Sequence, residues 1–312
     1  MTPNDTSQLN DLIGEKKSQL SMQTCCFCAS KTDLKISQDH AYLRCNVRQF
    51  NHHFFTVWRC LGCRSLHCLE AIDFTEYYAN YPIRRQKYNF FSKKIFKKRF
   101  KILSKAGLKK GDTLLDYGCG SGYFVHFARS LGIMAEGYDP NSSEEFSDIN
   151  VLNKKYDFVV SQDVVEHDEN PNAFITTLKQ YVKLGGILVL GTPNADKIDL
   201  DDPLAPLDAI HVPYHRHIYS QKQLEQVMAE ENWKITLISQ ESYFDTWTPF
   251  INSAFLVRLF RSGGGVMDFG FDPISVVHFL RNPSLIFWGL FGNFFSRNND
   301  MVIAAQSISS NS

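Results

Sequence analysis

Two residue patterns in this chain could do chemistry. The first is Asp116-x-Gly118-x-Gly120-x-Gly122, an acid followed by three glycines at alternate positions. It closes the apolar run Thr113-Leu114-Leu115 and opens the helix-like stretch Tyr123–Arg129, so it reads as a tight strand-to-helix turn. Glycine there frees the backbone for positive φ and lets a ligand lie against the main chain. Dinucleotide sites place G-x-G-x-x-G in the same position. Here the acid comes first, and Asp116 would repel a pyrophosphate at a helix N-terminus while suiting a ligand that carries positive charge. About twenty residues on, Gly137-Tyr138-Asp139 ends a second apolar run, where a carboxylate can accept hydrogen bonds from both hydroxyls of a ribose. The second pattern is sulfur. Cys25-x-x-Cys28 and Cys60-x-x-Cys63 can each clamp one side of a tetrahedral zinc ion, a closed and therefore structural site. The long gap between the pairs costs little, because loop entropy grows only logarithmically. Cys26, Cys45, Cys68, His40, His52, His53 and His67 are alternative ligands on the same stretch.

A third group can move protons. Ser161-Gln162-Asp163-Val164-Val165-Glu166-His167 follows the strand pattern at 158–161, at the crevice edge where open α/β sheets bind ligands. Glu166 or His167 could take a proton from an acceptor, or Asp163, Glu166 and His167 could hold a divalent ion such as Mg²⁺ that acidifies a hydroxyl. His211, His215 and His217 fall within seven residues on a later loop, and His215 and His217 are candidates for a base or an acceptor anchor. Ser220, before a helix at 221–231, reads as an N-cap.

The glycine turn with its preceding acid, and Asp139 after it, resemble the first two signature motifs of the class I S-adenosylmethionine-dependent methyltransferases. The resemblance implies a donor site built from Asp116, Gly118, Gly120, Gly122, Asp139 and Gln162. Val164-Val165-Glu166-His167 resembles the "V-x-E-H" segment of small-molecule O- and C-methyltransferases, including quinone O-methyltransferases. It is unlike the Asn/Asp-Pro-Pro-Tyr/Phe segment that holds an exocyclic base nitrogen. Trp58-Arg59-Cys60-Leu61-Gly62-Cys63 with Glu76-Tyr77-Tyr78 resembles bacterial methyltransferases with an N-terminal zinc domain, many of which act on sugars or sugar nucleotides. Arg64 and Ser65 depart from that pattern, which has glycine and a small apolar residue there. The implied activity is methyl transfer to a small acceptor, O- ahead of C-methylation. An RNA methyltransferase and a non-catalytic donor-binding protein are the rivals.

These residues need a frame. Strand patterns at 113–117, 134–138, 158–161, 187–191 and 234–239 alternate with helix patterns at 122–131, 171–183 and 221–231, which predicts a parallel α/β sheet. The segment 299–306 resembles the antiparallel last strand of the class I fold. The expected organisation is a flexible tail (1–24), a zinc-ribbon-like module (25–70), a basic helical linker (71–105), the methyltransferase core (106–244 with 300–307) and an aromatic helical insertion (245–299). The insertion suits a cap over the active site, a peripheral contact with the inner face of a membrane, or a homo-oligomer interface. Lys+Arg and Asp+Glu both total 33 in 312 residues, which gives no net field for nucleic acid. Eight cysteines in C-x-x-C company fit metal ligation in a reducing cytoplasm better than disulfides. No apolar run approaches the roughly 20 residues of a membrane span.

Overall fold

The computed structural model describes residues 20–79, 81–142 and 145–308. The expected tail falls largely at residues 1–19, outside the described residues. A strand at Met22–Thr24 (β1) pairs with Lys31–Asp33 (β2), so the cysteine-bearing module begins before Cys25. Within it, His40–Arg44 (β3), Phe54–Arg59 (β4) and Leu66–Cys68 (β5) form an antiparallel meander.

The main sheet contains Thr113–Tyr117 (β6), Met134–Tyr138 (β7), Tyr156–Gln162 (β8), Val182–Pro193 (β9), Trp233–Ser239 (β11) and Asp300–Ser307 (β12). Its order is β11-β12-β9-β8-β6-β7, parallel except for β12, which runs antiparallel to both neighbours. The mixed α/β class and the antiparallel last strand are as expected. Side chains alternate across a strand, and the core obeys this. Leu115, Val159, Leu188, Leu190 and Ile303 pack to one side, with Ile175 and Leu178 of helix Pro171–Lys179 and with Leu224 and Met228 of helix Gln221–Glu230. Leu114, Val160, Val189 and Val302 pack to the other, against helices Phe90–Lys105 and Tyr123–Ser130.

Among the described residues the α-helices are, in chain order, α1 (Phe74–Ala79), α2 (Phe90–Lys105), α3 (Tyr123–Ser130), α4 (Pro171–Lys179), α5 (Ala205–Asp208), α6 (Gln221–Glu230), α7 (Ser253–Ser262), α8 (Val276–Arg281) and α9 (Ser284–Phe291). Three expectations change. The helix at 171–183 stops at Lys179, because the chain re-enters the sheet at Val182, five residues before the expected strand. Residues 90–105 are not a linker, since Phe96, Ile102 and Leu103 of α2 are buried on the sheet. The cysteine module is not a separate domain. His217–Ile218 (β10) pairs with β5 and extends the module's sheet into a later segment of the chain. The buried guanidinium of Arg59 donates to the carbonyls of Ala195 at 2.7 Å and Ile198 at 2.6 Å, fixing the same joint.

Candidate functional site

β6 delivers the glycine turn to the carboxyl edge of the sheet. Gly118, Gly120 and Gly122 all have positive φ (80°, 55° and 67°), the conformation that excludes most side chains. A Cβ on Gly118 would strike Val164, and one on Gly122 would strike Phe146. Gly120 faces open space, so a ligand can approach its backbone. Asp139, at the end of β7, accepts the Gly120 N–H at 3.0 Å through Oδ2 and the Asn141 N–H at 2.8 Å through Oδ1. The second acid is thus tied to the first turn, and the two motifs form one rim.

Asp116 behaves differently from expectation. It is 2% exposed, and its Oδ1 lies 2.6 Å from the Arg99 guanidinium of α2, while Oδ2 is buried without a hydrogen-bond partner. Arg99 lies over the Phe124 ring, 3.9 Å from its centroid. Burial holds the Asp116 carboxyl above its usual range, against the pull of Arg99. Its charge is met from within the protein rather than offered to a ligand. Gln162 likewise turns its amide to the Asp163 carboxylate at 2.8 Å.

β8 and the loop after it build a second cluster. Asp163 takes a left-handed φ of 56° and accepts a hydrogen bond from Tyr243. This places Asp163 outside the ion site expected for Asp163, Glu166 and His167. Glu166 instead joins His167 and His215, whose ligand-type atoms lie within 4.8 Å of one another. Glu166 is 0% exposed. Its Oε2 accepts from the Thr192 hydroxyl at 3.0 Å, whereas Oε1 has no hydrogen-bond partner and sits 3.9 Å from His215 Nε2. Burial and the nearby Asp163 push the Glu166 carboxyl well above its ordinary range. His215 Nδ1 donates to the Ala209 carbonyl at 2.8 Å, which leaves Nε2 as the lone-pair side facing Glu166. His167 Nδ1 meets the Tyr78 hydroxyl of α1 at 2.7 Å. Burial lowers His167 to about 4 and His215 well below the usual value, so both rings are neutral at pH 7.

His167 opens into a crevice of about 730 Å³ lined also by Thr75, Tyr78, Arg84, Asn141 and Asp168. Asn141 is bonded to the Asp139 carboxylate, so the crevice joins the rim of the glycine turn to the cluster. None of its lining residues comes from 245–299; α1 forms the wall that the insertion was expected to form.

His217 does not face this crevice. It is drawn away by the β10–β5 pairing, and its Nδ1 meets His67 Nδ1 at 2.9 Å, beside the cysteines. There the four expected ligands converge, with Cys25 and Cys63 Sγ 3.6 Å apart and Cys28 and Cys60 Sγ 3.7 Å apart. Thiolates about 2.3 Å from a tetrahedral zinc lie about 3.8 Å from each other, so the quartet fits that ion. Of the alternative ligands, Cys45 and Cys68 are buried in the module's apolar core. Cys26 and His67 flank the quartet.

Arg99, Tyr78, Tyr243 and Thr192 took no part in the sequence reading of the site. Arg99 did carry a signal, since it lies three residues after Phe96 and four before Leu103, on the stripe of α2 that faces inward.

Residues 84–238 match a family described as a methyltransferase domain. The ubiquinone biosynthesis O-methyltransferase of Cereibacter sphaeroides is 22% identical over 203 residues, spanning 58% of this chain and 68% of its own length. The protein of the same name from Rickettsia canadensis is 32% identical over 103 residues, 27% of this chain and 44% of its own. Among solved structures, a SAM-dependent methyltransferase from Geobacter sulfurreducens, in complex with S-adenosyl-L-homocysteine, matches at a TM-score of 0.40 and 14% identity. That match covers 67% of this chain and 89% of that one. Geranyl diphosphate C-methyltransferase from Streptomyces coelicolor matches at 0.40 and 14%, over 68% and 75% of the two chains.

Proposed function

We propose that the chain is a methyltransferase of the class that takes its methyl group from S-adenosylmethionine, and that its acceptor is the hydroxyl of a small molecule, a quinone-type phenol or a sugar. The observation that carries this reading is the single crevice running from Asn141, beside Asp139, to His167. The donor's ribose rests on Asp139 and its amino-acid end on the backbone around Gly120. Methyl transfer is an in-line displacement, so holding the two reactants in register supplies much of the rate. The S–CH₃ bond breaks as the O–CH₃ bond forms, and the acceptor's O–H proton passes to neutral His167, leaving S-adenosylhomocysteine as the second product. Tyr78 steadies the imidazole. The relatives named as O-methyltransferases favour oxygen over carbon as the acceptor atom. Cys25, Cys28, Cys60 and Cys63 hold a structural zinc in this reading.

One observation favours a second version of the same step. The buried, unpartnered Glu166 Oε1, with His167 and His215, forms a two-histidine, one-carboxylate set suited to a transition ion rather than Mg²⁺. Such an ion would acidify the acceptor hydroxyl directly.

The test is turnover of labelled donor with a panel of hydroxylated quinones, catechols and sugars. His167→Ala should lower kcat by roughly 10²–10⁴-fold while donor affinity, read by calorimetry, stays within a few-fold. Loss of turnover on a chelation that leaves one zinc per chain in elemental analysis, with recovery on Mn²⁺, selects the ion version. Full activity of the variant removes His167 from the reaction, and no methylated product from any hydroxyl acceptor removes the proposed acceptor class.

A further inference from the structure

The insertion between β11 and β12 exposes a set of large apolar side chains. Trp247 is 83%, Phe294 70% and Leu280 70% exposed, and Phe287, Phe291 and Phe295 are each about half exposed. Ring contacts join the aromatic members in two groups. Trp247 meets Phe294 at 6.0 Å between centroids, Phe287 meets Phe291 at 5.4 Å, and Phe287 meets Phe295 at 6.3 Å. No charged side chain interrupts 283–293. Scattered single apolar residues are ordinary on a surface, but joined groups of this kind mark an interaction face.

The charges around it say what kind. All three acids of 245–299 are engaged with other groups. Asp245 accepts from Ser253 N and Ser296, while Asp268 and Asp272 are held by Arg48 and Arg85. The arginines divide otherwise. Arg297 pairs with Asp202 and Asp208, and Arg258 lies 3.5 Å from the Trp288 ring centroid. Arg261 and Arg281 have no ion pair among the described residues and are exposed. The free charge that the insertion carries is therefore of one sign. A second copy would offer no free acid from its own insertion to meet these arginines. Exposed aromatic rings and unpaired arginines on one insertion instead match a layer of anionic headgroups over acyl chains.

We infer that this face docks on the surface of an anionic lipid bilayer, with the rings at the acyl boundary and Arg261 and Arg281 among the phosphates. No helix among the described residues is long and apolar enough to cross a membrane, so the contact is peripheral. The proposal is independent of the acceptor's identity. The test is co-sedimentation of the full chain with phosphatidylcholine vesicles, with and without phosphatidylglycerol. The wild type should bind the mixed vesicles, and added salt should weaken binding. The Phe287→Ser/Phe291→Ser variant should bind roughly tenfold or more weakly. Arg261→Ser and Arg281→Ser should each lose about fivefold on anionic vesicles and little on neutral ones. Unchanged donor affinity confirms that the variants are folded. Failure of the wild type to sediment with either vesicle overturns the proposal. So does a dimer in light scattering that the phenylalanine variant converts to monomer, which would assign the face to a second copy.

Discussion

At the scale of single residues, Arg99 decides what Asp116 can do. An acid ahead of a glycine turn invites the reading of an ammonium anchor, but a buried carboxylate with a guanidinium 2.6 Å away already has its counter-charge. Its task is to lock α2 to the end of β6. Removing one partner of a buried pair leaves the other charge stranded. Arg99→Ala should therefore cost about 3–5 kcal/mol in urea unfolding, and pairing it with Asp116→Asn should recover much of the loss. Equal stability of the single and double variants would show that the pair is not coupled. A second residue matters through pH. Burial, reinforced by the nearby Asp163, pushes the Asp300 carboxyl up to about 8. A folded-state value above the unfolded one, near 3.8, means that the folded chain binds the extra proton. Its contribution to stability is full below about pH 4 and is lost as pH rises toward 8, at up to about 1.4 kcal/mol per pH unit. Asp300→Asn should match the wild type near pH 4 and exceed its stability at pH 8, measured as urea midpoints. Parallel pH profiles for the two proteins would refute this.

At the scale of elements, the two C-x-x-C turns were legible because their chemistry is local. Each needs only a short loop, and both end in a left-handed residue, Ala29 at φ 58° and Arg64 at φ 66°. Glycine is the usual solution there, which is why Arg64 stands out in the sequence. The partner of β5 was not legible. β10 has only two residues, and nothing local predicts that it joins a strand some 150 positions earlier. That pairing also separates His215 from His217, which sequence proximity had placed together. The same joint changes what loss of the proposed zinc should do. Ser220, the N-cap of α6, also donates to the Cys63 carbonyl at 2.6 Å. A loosened cysteine turn therefore pulls on the loop that carries His215. Cys60→Ser should abolish zinc retention in elemental analysis and lower turnover about tenfold or more, by analogy with losses at groups that support a site. Donor binding at the glycine turn should remain within a few-fold. Turnover equal to wild type in the metal-free variant would mean that the module and the catalytic loop are mechanically independent.

At the scale of the whole molecule, the five segments legible as compositional blocks are fewer parts than they look. The βα alternation follows from period-two and period-3.6 patterning, and the antiparallel last strand from the resemblance to the class I fold, so that level of the fold was readable. What composition could not show is that α2 belongs to the sheet, that the module's sheet continues through β10, or that α1 rather than the insertion walls the crevice. Each of these depends on contacts between segments far apart in sequence. One of them has a bearing on how the protein comes into being. β12 does not lie at the rim of the main sheet but between β9 and β11. β9 ends at residue 193 and β12 begins at residue 300, so 107 positions must be synthesised before that gap can fill. At about 5–20 residues per second, a ribosome leaves the edge of β9 unpaired for roughly 5–20 s. An open edge of that length, rich in Leu, Ile and Val, is a template for intermolecular pairing. A nascent chain stalled within the insertion would carry its glycine turn already built on β6 and β7, yet still be exposed to aggregation through a strand edge that only β12 can cover.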